Sequence, residues 1–135
     1  MIDNHKAITI LMADDDPDDR ELFMEALRTI DSDCDCITAA DGKEALSKLN
    51  NGLPQLPDFI FLDLNMPRIN GRECLAAIKK SPRLNKIPVI IYSTSAEKKD
   101  MDETIQSGAA YFLQKPNRFE ELSRALANII SRKWK

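Results

Sequence analysis

Five side chains in this sequence have the types and the placement for phosphate chemistry: Asp14, Asp15, Asp63, Ser93 and Lys115. Each stands at or just past the end of a short apolar run. Three carboxylates drawn within several ångströms of one another repel, and one must keep a proton unless a cation joins them. A hard divalent cation suits such an all-oxygen set, and Mg2+ takes few ligands from protein and the rest from water or phosphate. The backbone carbonyl of Asn65 is a further candidate ligand. In that setting an Asp63 oxygen can attack a phosphoryl group. The Mg2+ would bridge carboxylate and phosphoryl oxygens, Lys115 would cover another oxygen, and Ser93 a third by hydrogen bond. Each residue alone also has a duller reading: an acidic helix approach for Asp14 and Asp15, a turn for Asp63, loop backbone for Ser93, a surface cation for Lys115. Their joint placement at successive strand ends is what argues for a site.

The elements that must bring them together can be read from the apolar pattern. Phe59-Ile60-Phe61-Leu62 is apolar throughout, as in a strand buried on both faces. It ends on Asp63, and Pro67 has no N–H for a ladder beyond it. Residues 8–13 form a similar run that stops on Asp14-Asp15-Asp16. Asp16 is a good N-cap with Pro17 at the first helical position and acids in the positive first turn. That accounts for Asp16, Asp18 and Asp19 but not for Asp14 and Asp15. The helix runs to about Ile30, with Leu22, Phe23, Ala26, Leu27 and Ile30 as its inner stripe.

Residues 34–39 read as a second strand. Asp41 with Glu44 has capping-box spacing and opens a second helix, which Asn50-Asn51-Gly52 ends. After the Asp63 strand, Asn70 with Glu73 repeats that spacing and starts a third helix, stopped at Ser81-Pro82. Residues 87–92 are a fourth strand, leaving Ser93-Thr94-Ser95 at its exit. Residues 98–107 are a fourth helix, poor in apolar residues and stopped by Gly108. Residues 109–113 are a fifth strand, ending at Gln114-Lys115-Pro116. Asn117 is placed to cap a fifth helix with Glu120 at the box position and Leu122, Ala125, Leu126, Ile129 and Ile130 inward. A cis Lys115–Pro116 bond would aim the lysine inward; its base rate is about one in twenty. Five alternations of apolar strand and amphipathic helix imply an α/β fold, a doubly wound five-stranded parallel sheet with helices on both faces. Ligands in such sheets bind beyond the carboxyl ends of the strands, where strand order reverses.

Composition narrows the function classes. With 135 residues, 43% hydrophobic and 30% charged, the chain fits one domain with a real core. A net charge of −3 supplies no basic field for nucleic acid. No apolar run approaches membrane-spanning length and no signal-peptide pattern is present. Three cysteines, an odd number, argue against a disulfide framework and for a reducing, cytoplasmic setting. Cys34, Cys36 and Cys74 match no zinc spacing.

Taken in order, Ile10-Leu11-Met12-Ala13-Asp14-Asp15-Asp16, Leu62-Asp63-Leu64-Asn65-Met66-Pro67 with Gly71, Pro88-Val89-Ile90-Ile91-Tyr92-Ser93 and Leu113-Gln114-Lys115-Pro116 resemble a response-regulator receiver domain of two-component signalling, the CheY-like fold. The resemblance covers about residues 8–130. It implies strand order 2-1-3-4-5 and Asp63 as phosphoacceptor. It implies that Asp14, Asp15, Asp63 and the Asn65 carbonyl hold Mg2+. Ser93 falls at the switch hydroxyl, Lys115 at the characteristic lysine and Phe112 at the switch aromatic, while Asn65 and Ser95 fall where side chains tune phosphoryl lifetime. The chain's one His, His5, lies in its polar N-terminal stretch, so the phosphodonor is expected in trans, from a histidine kinase or phosphotransfer protein. In the family, phosphorylation remodels the fourth helix, fifth strand and fifth helix, and a homodimer through that face is one arrangement the resemblance allows. A single receiver domain over 1–135 is expected, with no output domain, no turnover of a separate substrate, and output by protein contact or phosphate relay. Trp134 is either a docking handle or packs on its own helix.

Two rivals share the architecture. An aspartyl-nucleophile phosphohydrolase resembling the haloacid-dehalogenase class needs an acid two residues after the nucleophile, and position 65 is Asn. A flavodoxin-like FMN carrier needs a hydroxyl- and Gly-rich loop after the first strand, and the three Asp there would repel phosphate.

Overall fold

A computed structural model describes residues 7–132. Its elements are β1 (Thr9–Ala13), α1 (Pro17–Ile30), β2 (Asp35–Ala39), α2 (Gly42–Ser47), β3 (Phe59–Leu62), α3 (Gly71–Lys80), β4 (Val89–Ser93), α4 (Lys98–Gln106), β5 (Tyr111–Gln114) and α5 (Phe119–Ser131). A π-helical turn, Lys48–Gly52, extends α2. The strands form one parallel sheet in the order β2-β1-β3-β4-β5. This is the doubly wound sheet the pattern implies, with its reversal at β1 and β3.

Alternation along the strands divides the core into two layers. Ile10, Met12, Phe59, Phe61, Ile90 and Tyr92 face α1 and α5, where Phe23, Leu27, Leu126 and Ile129 meet them. Phe23 packs edge-on against Phe61 at 4.9 Å between ring centroids. Leu11, Ala13, Ile60, Leu62, Val89 and Ile91 face the layer of α2 and α3, with Ala45, Leu49, Leu75 and Ile78. Phe112 is half-buried against this second layer, opposite Ile91 in register and on the same face as Ser93. Cys34 and Cys36 border the first layer and Cys74 is buried in the second, so the sheet separates them. Burial pushes the thiols up, Cys36 and Cys74 to about 12 and Cys34 to about 11.

Several boundaries differ from the sequence reading, each for a local reason. β4 starts two residues later, because Pro88 has no N–H for the ladder and the Ile87 N–H turns back to the Leu84 carbonyl at 3.0 Å. It runs on to include Ser93. β5 also starts later, because the Ala109 N–H closes the end of α4 on the Thr104 carbonyl at 3.0 Å. Asn117 does not cap α5: Arg118 occupies that position without a side-chain bond, and Glu120 and Glu121 in the first turn face the helix dipole instead. Leu22 is not on the inner stripe of α1 but 46% exposed. Asp41 caps α2 through the Glu44 N–H at 2.7 Å, but Glu44 reaches back to the Ala40 N–H and not to Asp41. The box at Asn70 and Glu73 closes in both directions. Peptide bonds of the described residues are trans, Lys115–Pro116 included. His5 and Trp134 lie outside the described residues.

Candidate functional site

The ladder carries Asp14, Asp63 and Lys115 one bond past their strands. The Asp14 N–H donates to the Ala39 carbonyl at 3.0 Å, Asp63 to Ala13 at 3.0 Å and Lys115 to Ser93 at 2.7 Å. These bonds fix the backbones of three separate segments on one sheet edge, and their side chains leave into a shared pocket. Lys115 is therefore aimed inward across a trans bond.

Lys115 Nζ sits 2.8 Å from Asp14 Oδ2, 2.8 Å from Asp19 Oδ2 and 3.5 Å from Asp63 Oδ2. Asp14 is fully buried, Lys115 and Asp63 nearly so. The other Asp14 oxygen accepts from the Asp16 N–H at 3.0 Å, and the Asp14 carbonyl accepts from the Arg20 guanidinium at 2.7 Å. Asp63 Oδ1 accepts from the Asn65 N–H at 3.3 Å. Carboxylate oxygens of Asp14, Asp15 and Asp63 lie within 4.8 Å of one another, with Asp15 exposed at the rim. The structure thus gathers the acids picked from the sequence.

Electrostatics follow from this packing. Burial pushes the Asp63 carboxyl up to about 6; the Lys115 charge opposes the rise and Asp14 adds to it. For Lys115 burial acts to lower the pKa, but the bonds to Asp14 and Asp19 and the Asp63 charge outweigh it, and the ammonium is held above its ordinary range. Asp14, Asp15 and Asp63 present more negative charge than one ammonium offsets. An oxygen-only donor set with surplus negative charge fits a hard divalent cation.

Ser93 is buried, and its Oγ accepts from the Ser95 N–H at 3.2 Å. Ser95 turns its own hydroxyl to Asp100 Oδ2 at 2.6 Å and accepts from the Glu97 N–H. Arg72 on α3 clasps Asp100 and Glu103 on α4. Ser95 therefore anchors the start of α4 and reaches the pocket through its backbone. Asn65 is exposed and lines a cleft of about 370 Å³ with Leu64, Met66, Asn70, Arg72 and Asp100. Gly71 packs directly on the backbone after β3: a Cβ there would lie 2.2 Å from the Asp63 carbonyl oxygen. The residue the sequence reading missed is Asp19, explained there as helix-dipole charge. The sequence held no separate signal for it, since the first turn of α1 already accounts for an acid at that position.

The family model for the response regulator receiver domain matches residues 10–127. Response regulator Rcp1 of Synechocystis is 33% identical over 127 residues, covering 90% of this chain and 86% of Rcp1. The phosphorylated cyanobacterial phytochrome response regulator RcpA superposes with a TM-score of 0.84 at 31% identity, over 92% of this chain and 91% of its own. The Mn2+-bound form of Rcp1 gives 0.82 at 29% identity, over 95% and 99%. With the strand order and the acidic edge already in place, these matches show that the chain belongs to the response regulator receiver domains of two-component signalling.

Proposed function

We propose that Asp63 is the phosphoacceptor of a single receiver domain that takes a phosphoryl group from a histidine kinase or phosphotransfer protein. The observation that carries this is the pocket: Asp63 beside Asp14 and Asp15, with the Lys115 ammonium 3.5 Å from its oxygen. Receiver domains are generally signalling modules that bind a divalent metal at such an acidic cluster and work with these partners.

In the transfer, an Asp63 oxygen attacks phosphorus, an O–P bond forms as the donor's P–N bond breaks, and the electron pair leaves on the imidazole nitrogen. Asp14, Asp15, Asp63 and the Asn65 carbonyl would hold Mg2+, which supplies charge neutralisation for the phosphoryl oxygens. Lys115 pairs with one oxygen of the transferred group. Ser93, on the edge of the same pocket, donates its hydroxyl to another and gives up the Ser95 N–H. Phe112, on the Ser93 face of the sheet, moves into the space the hydroxyl leaves. Asn65 and Ser95 at the rim govern water access and so phosphoryl lifetime. The added charge of phosphate then biases α4, whose sole buried side chain is Thr104, and the α4–β5–α5 face meets an output protein or a second copy.

The test is phosphorylation by acetyl phosphate in Mg2+, read by intact mass and by amide spectra. A phosphate adduct with shifts in α4 is expected for the parent and neither for Asp63→Asn. Adduct formation in Asp63→Asn would overturn the assignment, and excess EDTA should abolish the parent's reaction.

A further inference from the structure

Lys115 has three carboxylate neighbours, and they are not equivalent. Asp14 and Asp63 belong to the group of acids that can gather a cation, together with Asp15; Asp19 does not. Asp19 stands on the first turn of α1, which Asp16 and Pro17 fix, and its side chain is 31% exposed against 0% for Asp14. An ammonium has three N–H donors. In this structure two are spent at 2.8 Å, on Asp14 and Asp19, and Asp63 at 3.5 Å is beyond hydrogen-bond range.

A cation bound by Asp14, Asp15 and Asp63 changes the balance around Lys115. Two of its three carboxylate partners would turn their charge to the cation, and the cation would itself repel the ammonium, leaving Asp19 and the face of the Tyr92 ring, 5.2 Å from Nζ. The lysine stem is long and flexible and its head is strongly hydrated, so a lysine stripped of partners swings out through the pocket mouth. Asp19 is the carboxylate left to prevent that.

We propose that Asp19 is a positioning residue for Lys115: it keeps the ammonium at the pocket while the Asp14 contact is exchanged for an oxygen of the incoming phosphoryl group. This rests on the phosphoacceptor reading of Asp63. The bond to Asp19 persists through the cycle, one donor stays on it, and the donor released by Asp14 turns to the phosphoryl oxygen. The role needs a carboxylate's negative charge at this height on α1. An amide keeps an acceptor but not the charge that offsets the cation's repulsion.

The experiment compares the parent with Asp19→Ala, Asp19→Asn and Asp19→Glu. Asp18→Asn serves as control, because Asp18 shares the first turn of α1 and makes no ion pair with Lys115. Two quantities are read: the rate of Asp63 phosphorylation by acetyl phosphate at saturating Mg2+, and the 15N resonance of the Lys115 ammonium with and without Mg2+. Asp19→Ala and Asp19→Asn should slow phosphorylation by about tenfold or more, a loss of roughly one hydrogen-bonded charge contact, and should broaden the ammonium resonance when Mg2+ is added. Asp19→Glu should recover the rate to within about threefold, given the same contact, and Asp18→Asn should match the parent. Rates for Asp19→Ala within twofold of the parent would overturn the proposal, as would an equal slowing in Asp18→Asn, which would assign the effect to the helix dipole. A parent that takes no phosphate on Asp63 would instead defeat the phosphoacceptor reading, so the two failures are distinct.

Discussion

Asp63 lies in a place that disfavours its own charge, and that has a measurable consequence for stability. Its carboxyl is 9% exposed and its pKa is raised from 3.8 to about 6 by burial, with Asp14 adding and Lys115 opposing. Below pH 3.8 the group is protonated folded or unfolded and contributes nothing. Between 3.8 and about 6 the unfolded chain ionises while the folded one retains its proton, so rising pH favours unfolding. Above that interval the full cost is present. At about 1.4 kcal/mol per pH unit the interval corresponds to at most about 3 kcal/mol, and screening at the open mouth reduces it to about 1–2 kcal/mol.

Asp63→Asn removes the charge with little change of shape, and its amide can donate to Asp14. Without metal the variant should therefore be the more stable protein at pH 7.5, by about 1–2 kcal/mol, a gain of about 1 M in urea midpoint. The gap should close as pH falls toward 4.5. Saturating Mg2+ should reverse the order, since a ligand that binds only the folded parent at a hundred times its Kd adds about 2.7 kcal/mol and the variant has lost one ligand. The assay is urea unfolding in EDTA across pH, then in Mg2+. A variant less stable than the parent in EDTA at pH 7.5, or a gap that does not narrow with acid, would refute the burial argument.

Three further outcomes follow from local geometry. Gly71→Ala places a Cβ 2.2 Å from the Asp63 carbonyl oxygen and 2.8 Å from the Leu64 Cα, so backbone must move; a loss of about 3 kcal/mol in urea unfolding is expected, and parental stability would contradict the packing. Asn70→Ala opens the capping box of α3 and should cost about 1 kcal/mol, with faster amide exchange at the Glu73 N–H. Arg72→Ala releases Asp100 and Glu103, so amides in the first turn of α4 should exchange severalfold faster while those of β3 do not change; unchanged exchange in α4 would mean the clasp is not what holds it.

What could be read from the sequence, and what could not, divides along a physical line. Asp14, Asp63 and Lys115 were legible because each closes an apolar run, and parallel strands place their carboxyl ends on one edge whatever the details of packing. Asp19 was not legible, because its partner is 96 residues away and its local setting already explained an acid. Ser95 shows the same limit: the spacing places it at the rim, but only the fold reveals that its hydroxyl is committed to Asp100. The missed cap at Asn117 has another cause. The turn after Pro116 takes two residues before α5 begins, and loop length is weakly encoded in residue type.

The pocket is held unequally from its two sides, and this decides where a change of charge at Asp63 can travel. On one side β1 and β3 are buried on both faces and locked by ladder bonds, with Phe23 and Phe61 behind them. Displacing that wall would open the core, which costs several kcal/mol for each large side chain. On the other side α4 buries Thr104 alone and has no side-chain cap. Its start is tied by a polar chain: Ser93 Oγ to the Ser95 N–H, Ser95 Oγ to Asp100, and Asp100 to Arg72. Each of those bonds is worth about a kilocalorie or less where water competes. In the proposed switch the first of them would be given up as the Ser93 hydroxyl turns to a phosphoryl oxygen. A response started by phosphate on Asp63, as proposed, would therefore run outward along β4 into α4, because that wall is the one the fold leaves inexpensive to move.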